Sequence, residues 1–516
     1  MARTPLLYAL QRIARAWARD ASPGQLVPAR RRFLAGGAAL GAMAAAPGWA
    51  AAAAKAAAPR IAVVGAGLAG LTAAWALRRA GLDCTVYEGA QRVGGRCYSE
   101  RSAFDQQQVA ERGGEFIDSV HEEIIALCRA LGLQLDDVLA AEAPGTAPLT
   151  WLDGAAYTPE EATRDFQPVH RVVQRQARAL GEDYGYRGAS KAARALDGIS
   201  VAQWIDRHVP GGRASRLGRA LDNAYTEEFA ADTTWISAVS IVATLAVSEA
   251  DRFEPYAGSD QRYHVRGGND HMVARLVAEL GSPVTTGTRL MGLERIGGAR
   301  LRLTLRDAGG ERAEAFDRVI LALPFSTLQD LNLSRAGFRP LKLRAIRELP
   351  MGASTKLQLQ FRHRFWNARG NNGVVVMDAA PFHSTWEPTR AQPGEAGILN
   401  FWSGGSLAFA AGTGPARSLA PRAADALAQA LPGATEAWNG RAIRDAWSDN
   451  PWSRGSYAYY PVGYATSVLG IEPEPEGHCH FAGEHTSLQW QGFLNGAVES
   501  GLRAAREVLR AVAPRR

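Results

Sequence analysis

The fold is decided between residues 60 and 96, which read RIAVVGAGLAGLTAAWALRRAGLDCTVYEGAQRVGGR. Ile61–Val64 is a short apolar run ending at Gly65, and it predicts a buried strand. Gly65, Ala66, Gly67, Leu68, Ala69 and Gly70 form a G-x-G-x-x-G turn, followed by helix-forming residues over 68–80 that Gly81 stops. Residues 84–87 predict a second strand, with Glu88 at its C-terminal end. Each part has a physical task. Gly65 permits the tight turn, Gly67 lets a pyrophosphate approach the backbone, and Gly70 lets the helix pack close to the strand. The helix N-terminus offers free N–H groups and a positive dipole end to phosphates. Glu88 stands where an acid accepts hydrogen bonds from ribose hydroxyls. A lone glycine turn is weak; a turn with its strand, helix and closing acid in order is a dinucleotide site.

A second glycine turn, Arg92-Val-Gly-Gly-Arg96, follows the acid directly. Nicotinamide enzymes need nothing like it there. A basic G-G-R turn after the ribose acid resembles the FAD fingerprint of the amine oxidase flavoproteins. The resemblance makes Gly94, Gly95 and Arg96 cofactor contacts, with Arg96 neutralising phosphate charge.

Working outward, the chain of 516 residues is long enough for two domains with their own cores, and 47% hydrophobic with 21% charged residues is a globular composition. The formal charge of +7 is uneven: seven arginines against Asp20 place +6 in residues 1–34, leaving +1 for the remainder. A nucleic-acid footprint would sit on the folded part, so no nucleic-acid partner is expected. Ala29-Arg-Arg-Arg-Phe-Leu34 matches the twin-arginine export pattern R-R-x-F-L. An Ala/Gly-rich segment follows it, too short and small-sided for a stable membrane span. Residues 1–55 are therefore read as a leader, and the protein is expected in the periplasm or secreted. Cys84, Cys97, Cys128 and Cys479 form no C-x-x-C and read as unpaired small hydrophobes. No metal-ligand cluster is seen; His478 and His480 beside Cys479 read as local polarity.

Further along, Glu111-Arg-Gly-Gly-Glu-Phe-Ile-Asp118 brings two adjacent glycines, which let the backbone approach something flat or charged. Residues 136–261 are rich in Ala and Arg at helical spacing and predict a mainly helical cap. Strand-like runs follow at 283–288, 301–306 and 318–323. Residues 357–361 alternate apolar and polar with period two, and Lys356 opens that strand. Near the C-terminus come W-x7-GSY, FAGEHT and GAVESG. A strand ending at Gly483-Glu484 and a helix opening near Phe493-Leu494 make a second dipole site for negative charge on a reduced flavin.

These motifs, in order over some 450 residues, resemble the flavin-dependent amine oxidases: monoamine and polyamine oxidases, L-amino-acid oxidases and tryptophan 2-monooxygenase. The resemblance implies an α/β fold of the two-dinucleotide-binding type: a Rossmann FAD domain (58–135, 262–327 and 445–512) with an inserted α+β substrate domain (136–261 and 328–444). It implies oxidation of an amine or L-amino acid to an imine at FAD, with O2 becoming H2O2. Gly113, Gly114 and Glu115 would approach the flavin, with Gly483, Glu484, Phe493 and Leu494 at its other end. Lys356 would hold a water at flavin N5, and Tyr457, Phe493 and Trp490 would wall the amine. Phe116 and Tyr457 would touch substrate, and Asp118 would attract its cation, unless Asp118 or Ser119 merely caps the next helix. Ser456 stands where mitochondrial monoamine oxidases carry the cysteine bonded to flavin, so FAD is expected to bind non-covalently. Phe116 stands where venom-type L-amino-acid oxidases place a carboxylate-binding arginine, so an amino-acid substrate needs another cation, Arg262 or Arg266. A tryptophan 2-monooxygenase-like reaction, a dehydrogenase with another acceptor and a flavin electron carrier remain as alternatives. Oligomeric state, a homodimer included, is left open.

Overall fold

The computed structural model describes residues 58–513 apart from 257, 299, 379 and 380; the segment 1–55 read as a leader falls outside the described residues. Ile61–Val64 is buried at all four positions because both faces of its sheet are covered: Ile61 and Val63 share a core with the Leu68–Arg79 helix, and Ala62 and Val64 share one with Leu290, Leu303 and Phe316. It lies between Arg318–Leu321 and Thr85–Tyr87, and Cys479–Phe481 completes a four-stranded, all-parallel sheet. The chain therefore returns to this sheet twice after long excursions. The helix Leu68–Arg79 ends before Gly81, which takes a φ of 82°. It crosses the last helix, Leu494–Val512, where a Cβ on Gly501 would overlap the Ala69 carbonyl. A Cβ on Gly70 would likewise overlap the Gly65 carbonyl, so the turn and its helix fit only as glycine.

Residues 283–288 do not form the expected strand. Thr285 makes only a single parallel bridge with Tyr87, and the strand begins later, at Arg289–Ile296. That strand, Arg300–Asp307 and Gly310–Phe316 form a three-stranded antiparallel sheet. The charged run GERAEAF hid the third strand, an edge on which only Phe316 is buried.

The second large sheet has seven strands in the order Trp438–Ala446, Ser354–Phe361, Gly397–Gly404, Ser384–Trp386, Asn371–Met377, Ala147–Leu152 and Ala155–Ala156. The last two come from the stretch read as helical, and Ala147–Leu152 pairs parallel with Asn371–Met377. Helices then do dominate that stretch, led by Pro159–Leu180, whose N-terminus carries a Thr158/Glu161 capping box. Ser354–Phe361 departs from its pattern in one respect. Period-two alternation predicts one wet face, yet all eight residues are buried. The apolar face, Leu357, Leu359 and Phe361, packs into a core with the Ala416–Ala430 helix. The polar face, Lys356, Gln358 and Gln360, is covered by the segment 105–115 of the other half of the molecule. No helix among the described residues is long and apolar enough to cross a membrane.

Candidate active site

A cavity runs along the carboxyl ends of the parallel strands and into the seven-stranded sheet. One end is built on the first glycine turn. Glu88 Oε2 accepts from Ala66 N at 2.7 Å and Oε1 from Ala90 N at 2.9 Å, which fixes the carboxylate at the cavity wall. Gly67 has open space where a Cβ would stand. Two helix N-termini open onto the cavity, at Leu68 and at Leu494. Neither has a side-chain cap or an acidic residue in its first turn, so neither dipole is answered by the protein. Two unanswered N-termini in one elongated cavity with a fixed acid fit a dinucleotide carrying negative charge at two separate points. That is the charge pattern of a flavin dinucleotide.

Between the ends, Arg96 Nη1 donates to Ser456 O at 2.6 Å and to Glu484 Oε1 at 2.8 Å. Glu484 Oε2 accepts from Gly492 N at 2.7 Å, so this acid locks the two C-terminal motifs together. Beside it, His485 lines the cavity with neither ring nitrogen partnered, and burial pushes its pKa down to about 3. Gly113 and Gly114 sit under Arg96 and Leu494, where a Cβ on either would overlap its neighbour.

The other end is set by strand pairing. Residues directly paired across an antiparallel sheet point to the same face. Lys356 pairs with Trp402, which pairs with Ser384, so these three stand abreast. Trp386 is two residues beyond Ser384 on that face. Trp386, Trp402 and Ala230 pack with Phe116, Val374 and Tyr457 into one apolar cluster, and the four aromatic rings all line the cavity. Lys356 Nζ donates to Glu115 Oε2 at 2.6 Å, Gly113 O at 2.9 Å and Glu111 O at 3.1 Å. Glu115 Oε1 accepts from the Trp386 indole N–H at 2.9 Å. The end thus holds an aromatic cage and one buried ion pair.

Most of the residues singled out in the sequence meet on this cavity: Gly65, Gly67, Leu68, Ala69, Glu88, Gly94, Gly95, Arg96, Gly113, Gly114, Glu115, Phe116, Lys356, Tyr457, Gly483, Glu484, Phe493 and Leu494. Ala66 and Gly70 stand behind it as turn and helix packing. Two expectations are corrected. Asp118 lies outside the lining and caps no helix. It is buried, its carboxylate takes Ser259 Oγ and Gln261 N, and burial raises its pKa to about 6. Trp490 also lies outside, packed on His121 and on Phe493. Trp386 and Trp402, which the sequence reading missed, line the cavity instead. Arg262 and Arg266 do not line the cavity either: they pair with Asp137 at 2.7 Å and Asp136 at 2.6 Å. All four cysteines are free thiols.

Comparison with known proteins follows the same outline. A family model described as flavin containing amine oxidoreductase matches residues 68–509. The flavin-containing amine oxidase B of Sus scrofa is 26% identical, over 88% of this chain and 86% of its own length. A Bacillus subtilis protein provisionally named an L-amino-acid oxidase is 25% identical, over 87% and 94%. Among solved structures, cyclohexylamine oxidase from Brevibacterium oxydans aligns with a TM-score of 0.76 at 20% identity, covering 89% of this chain and all of that one. Putrescine oxidase bound to putrescine aligns at 0.74 and 21%, covering 88% and 99%.

Proposed function

This chain belongs to the flavin-containing amine oxidoreductase family, and on that premise we propose that it holds FAD non-covalently and oxidises an amine that lacks a carboxylate. The observation that carries the substrate reading is the lining of the cage. Four aromatic rings and the Glu115–Lys356 pair surround it, while the arginines on the cavity, Arg92, Arg96 and Arg289, are held by Gly95 O, Glu484 and Asp330 in turn. A substrate carboxylate needs a positive partner, and the cage has no uncommitted one among its described residues. The non-covalent reading is supported by Ser456, whose hydroxyl donates to Gly352 O and offers no thiol.

Bound FAD supplies the two-electron acceptor and the route onward to dioxygen. The chain's own residues do the rest. The unanswered N-termini at Leu68 and Leu494 hold negative charge. The faces of Trp386, Trp402 and Tyr457 attract an arriving ammonium and then pack against the neutral amine. The dry cage keeps water from the carbon that loses hydrogen. The net reaction gives an imine, which water converts to a carbonyl compound and ammonia, with peroxide from dioxygen.

A second reading, an L-amino-acid substrate, follows the similarity to the Bacillus subtilis protein provisionally named an L-amino-acid oxidase. It needs a carboxylate partner that the cage lacks, since buried Arg390 lies off the cavity lining and donates to Glu142 Oε2 at 3.3 Å and Asn372 O at 3.0 Å. Peroxide release over a panel of L-amino acids and their decarboxylated amines separates the two. Turnover of the amines alone supports the first reading; turnover of amino acids alone overturns it. Acid precipitation should leave yellow flavin in the supernatant, and colour in the pellet would refute non-covalent binding. We also propose export through the Arg30-Arg31 pattern, with O2 as the acceptor outside the cytoplasm.

A further inference from the structure

Glu115 is the one group that touches both the lysine and the cage. Glu115 and Lys356 are each 6% exposed, and Trp386 is 7% exposed. An ammonium has three donors and no acceptor. Lys356 gives all three to the chain: to Glu115 Oε2 at 2.6 Å, Gly113 O at 2.9 Å and Glu111 O at 3.1 Å. Nζ also stands 5.6 Å from the centre of the Trp386 ring, whose N–H is bound to the other carboxylate oxygen. Only a carboxylate can do this. An amide has one acceptor oxygen and would set its NH2 against one of the two donors.

We propose that Glu115 is a positioning residue that ties Lys356, a fixed ammonium with every donor committed, to Trp386, the wall against which the amine rests. The position of the charge then depends on the wall, and an amine pressing on the indole acts on the lysine through one carboxylate. The proposal rests on the cage being the amine site.

The test is a double-mutant cycle in the FAD-loaded enzyme. Trp386→Phe keeps an aromatic wall and removes the N–H; Lys356→Met removes the ammonium. With Lys356 present, Trp386→Phe should lower kcat roughly tenfold, the scale of one hydrogen bond to a charged group, and in the Lys356→Met background by less than about twofold. KM should move little in either background. The same should hold for the dissociation constant of tert-butylamine, which has no hydrogen on its amine-bearing carbon and is read from the flavin absorption spectrum. Glu115→Gln should reproduce the kcat loss of Lys356→Met, and Glu115→Asp should restore part of it. Equal losses from Trp386→Phe in both backgrounds overturn the tie, as does Glu115→Gln with unchanged kcat. No spectral response to tert-butylamine in the unsubstituted enzyme overturns the cage reading and the proposal with it.

Discussion

At Lys356 a positive charge is enclosed by two carbonyls and one carboxylate, with almost no solvent. Breaking such a pair from one side leaves the other charge buried alone, which costs about 3 kcal/mol. Lys356→Met should therefore lower the thermal unfolding temperature as well as slow flavin reduction, reoxidation or both. FAD should stay bound, because the dinucleotide contacts lie elsewhere on the cavity. Stopped-flow absorbance and a melting curve read the two effects separately, and unchanged kinetics would sink the assigned role. Glu88 gives the complementary case. Its oxygens hold the Ala66 and Ala90 amides, so Glu88→Ala should weaken FAD binding by roughly tenfold or more while leaving the reduction rate of the loaded enzyme nearly unchanged. Flavin fluorescence titration measures it.

At the scale of elements, the glycine turn and its helix were legible because their information is local: strand, turn, helix and acid lie within one short stretch. The cage was not. Trp386 and Trp402 acquire a shared face only when Ser384–Trp386 pairs with Gly397–Gly404, and no spacing in the sequence announces that register. The buried polar face of Ser354–Phe361 was hidden for the same reason, since what covers it arrives from residues more than two hundred positions away. Between these strands His383 accepts from Gly404 N, and burial lowers its pKa from 6.5 to about 4. Above pH 6.5 the imidazole is neutral in both folded and unfolded chains. As the pH falls toward 4, only the unfolded chain takes the proton, so stability present above 6.5 is lost in that window. The loss is up to about 1.4 kcal/mol per pH unit. His383→Gln should flatten the acid side of the stability profile by that slope, measured by denaturant unfolding at pH 4 to 7. The helix crossing makes a further prediction. Gly501→Val forces a side chain into the Ala69 carbonyl, which should cost about 1–3 kcal/mol and loosen FAD, since both helices present their N-termini to it. A thermal shift without FAD loss would separate stability from cofactor binding at this crossing.

For the whole molecule, the charge is uneven: residues 1–34 carry +6 of the +7 and the remainder is nearly neutral, which is what the proposed export reading needs of its N-terminus. Arg30→Lys combined with Arg31→Lys should therefore leave the purified enzyme unaltered and retain it in the cytoplasm, as cell fractionation would show. The crossing of Leu68–Arg79 with Leu494–Val512 has a consequence in time. A ribosome delivers the first glycine turn early and the Leu494 N-terminus last, with more than four hundred residues between them. The cradle cannot close on its dinucleotide while synthesis is under way. Loading is an act of the finished polypeptide, so the dinucleotide cannot be held until the last helix has been made.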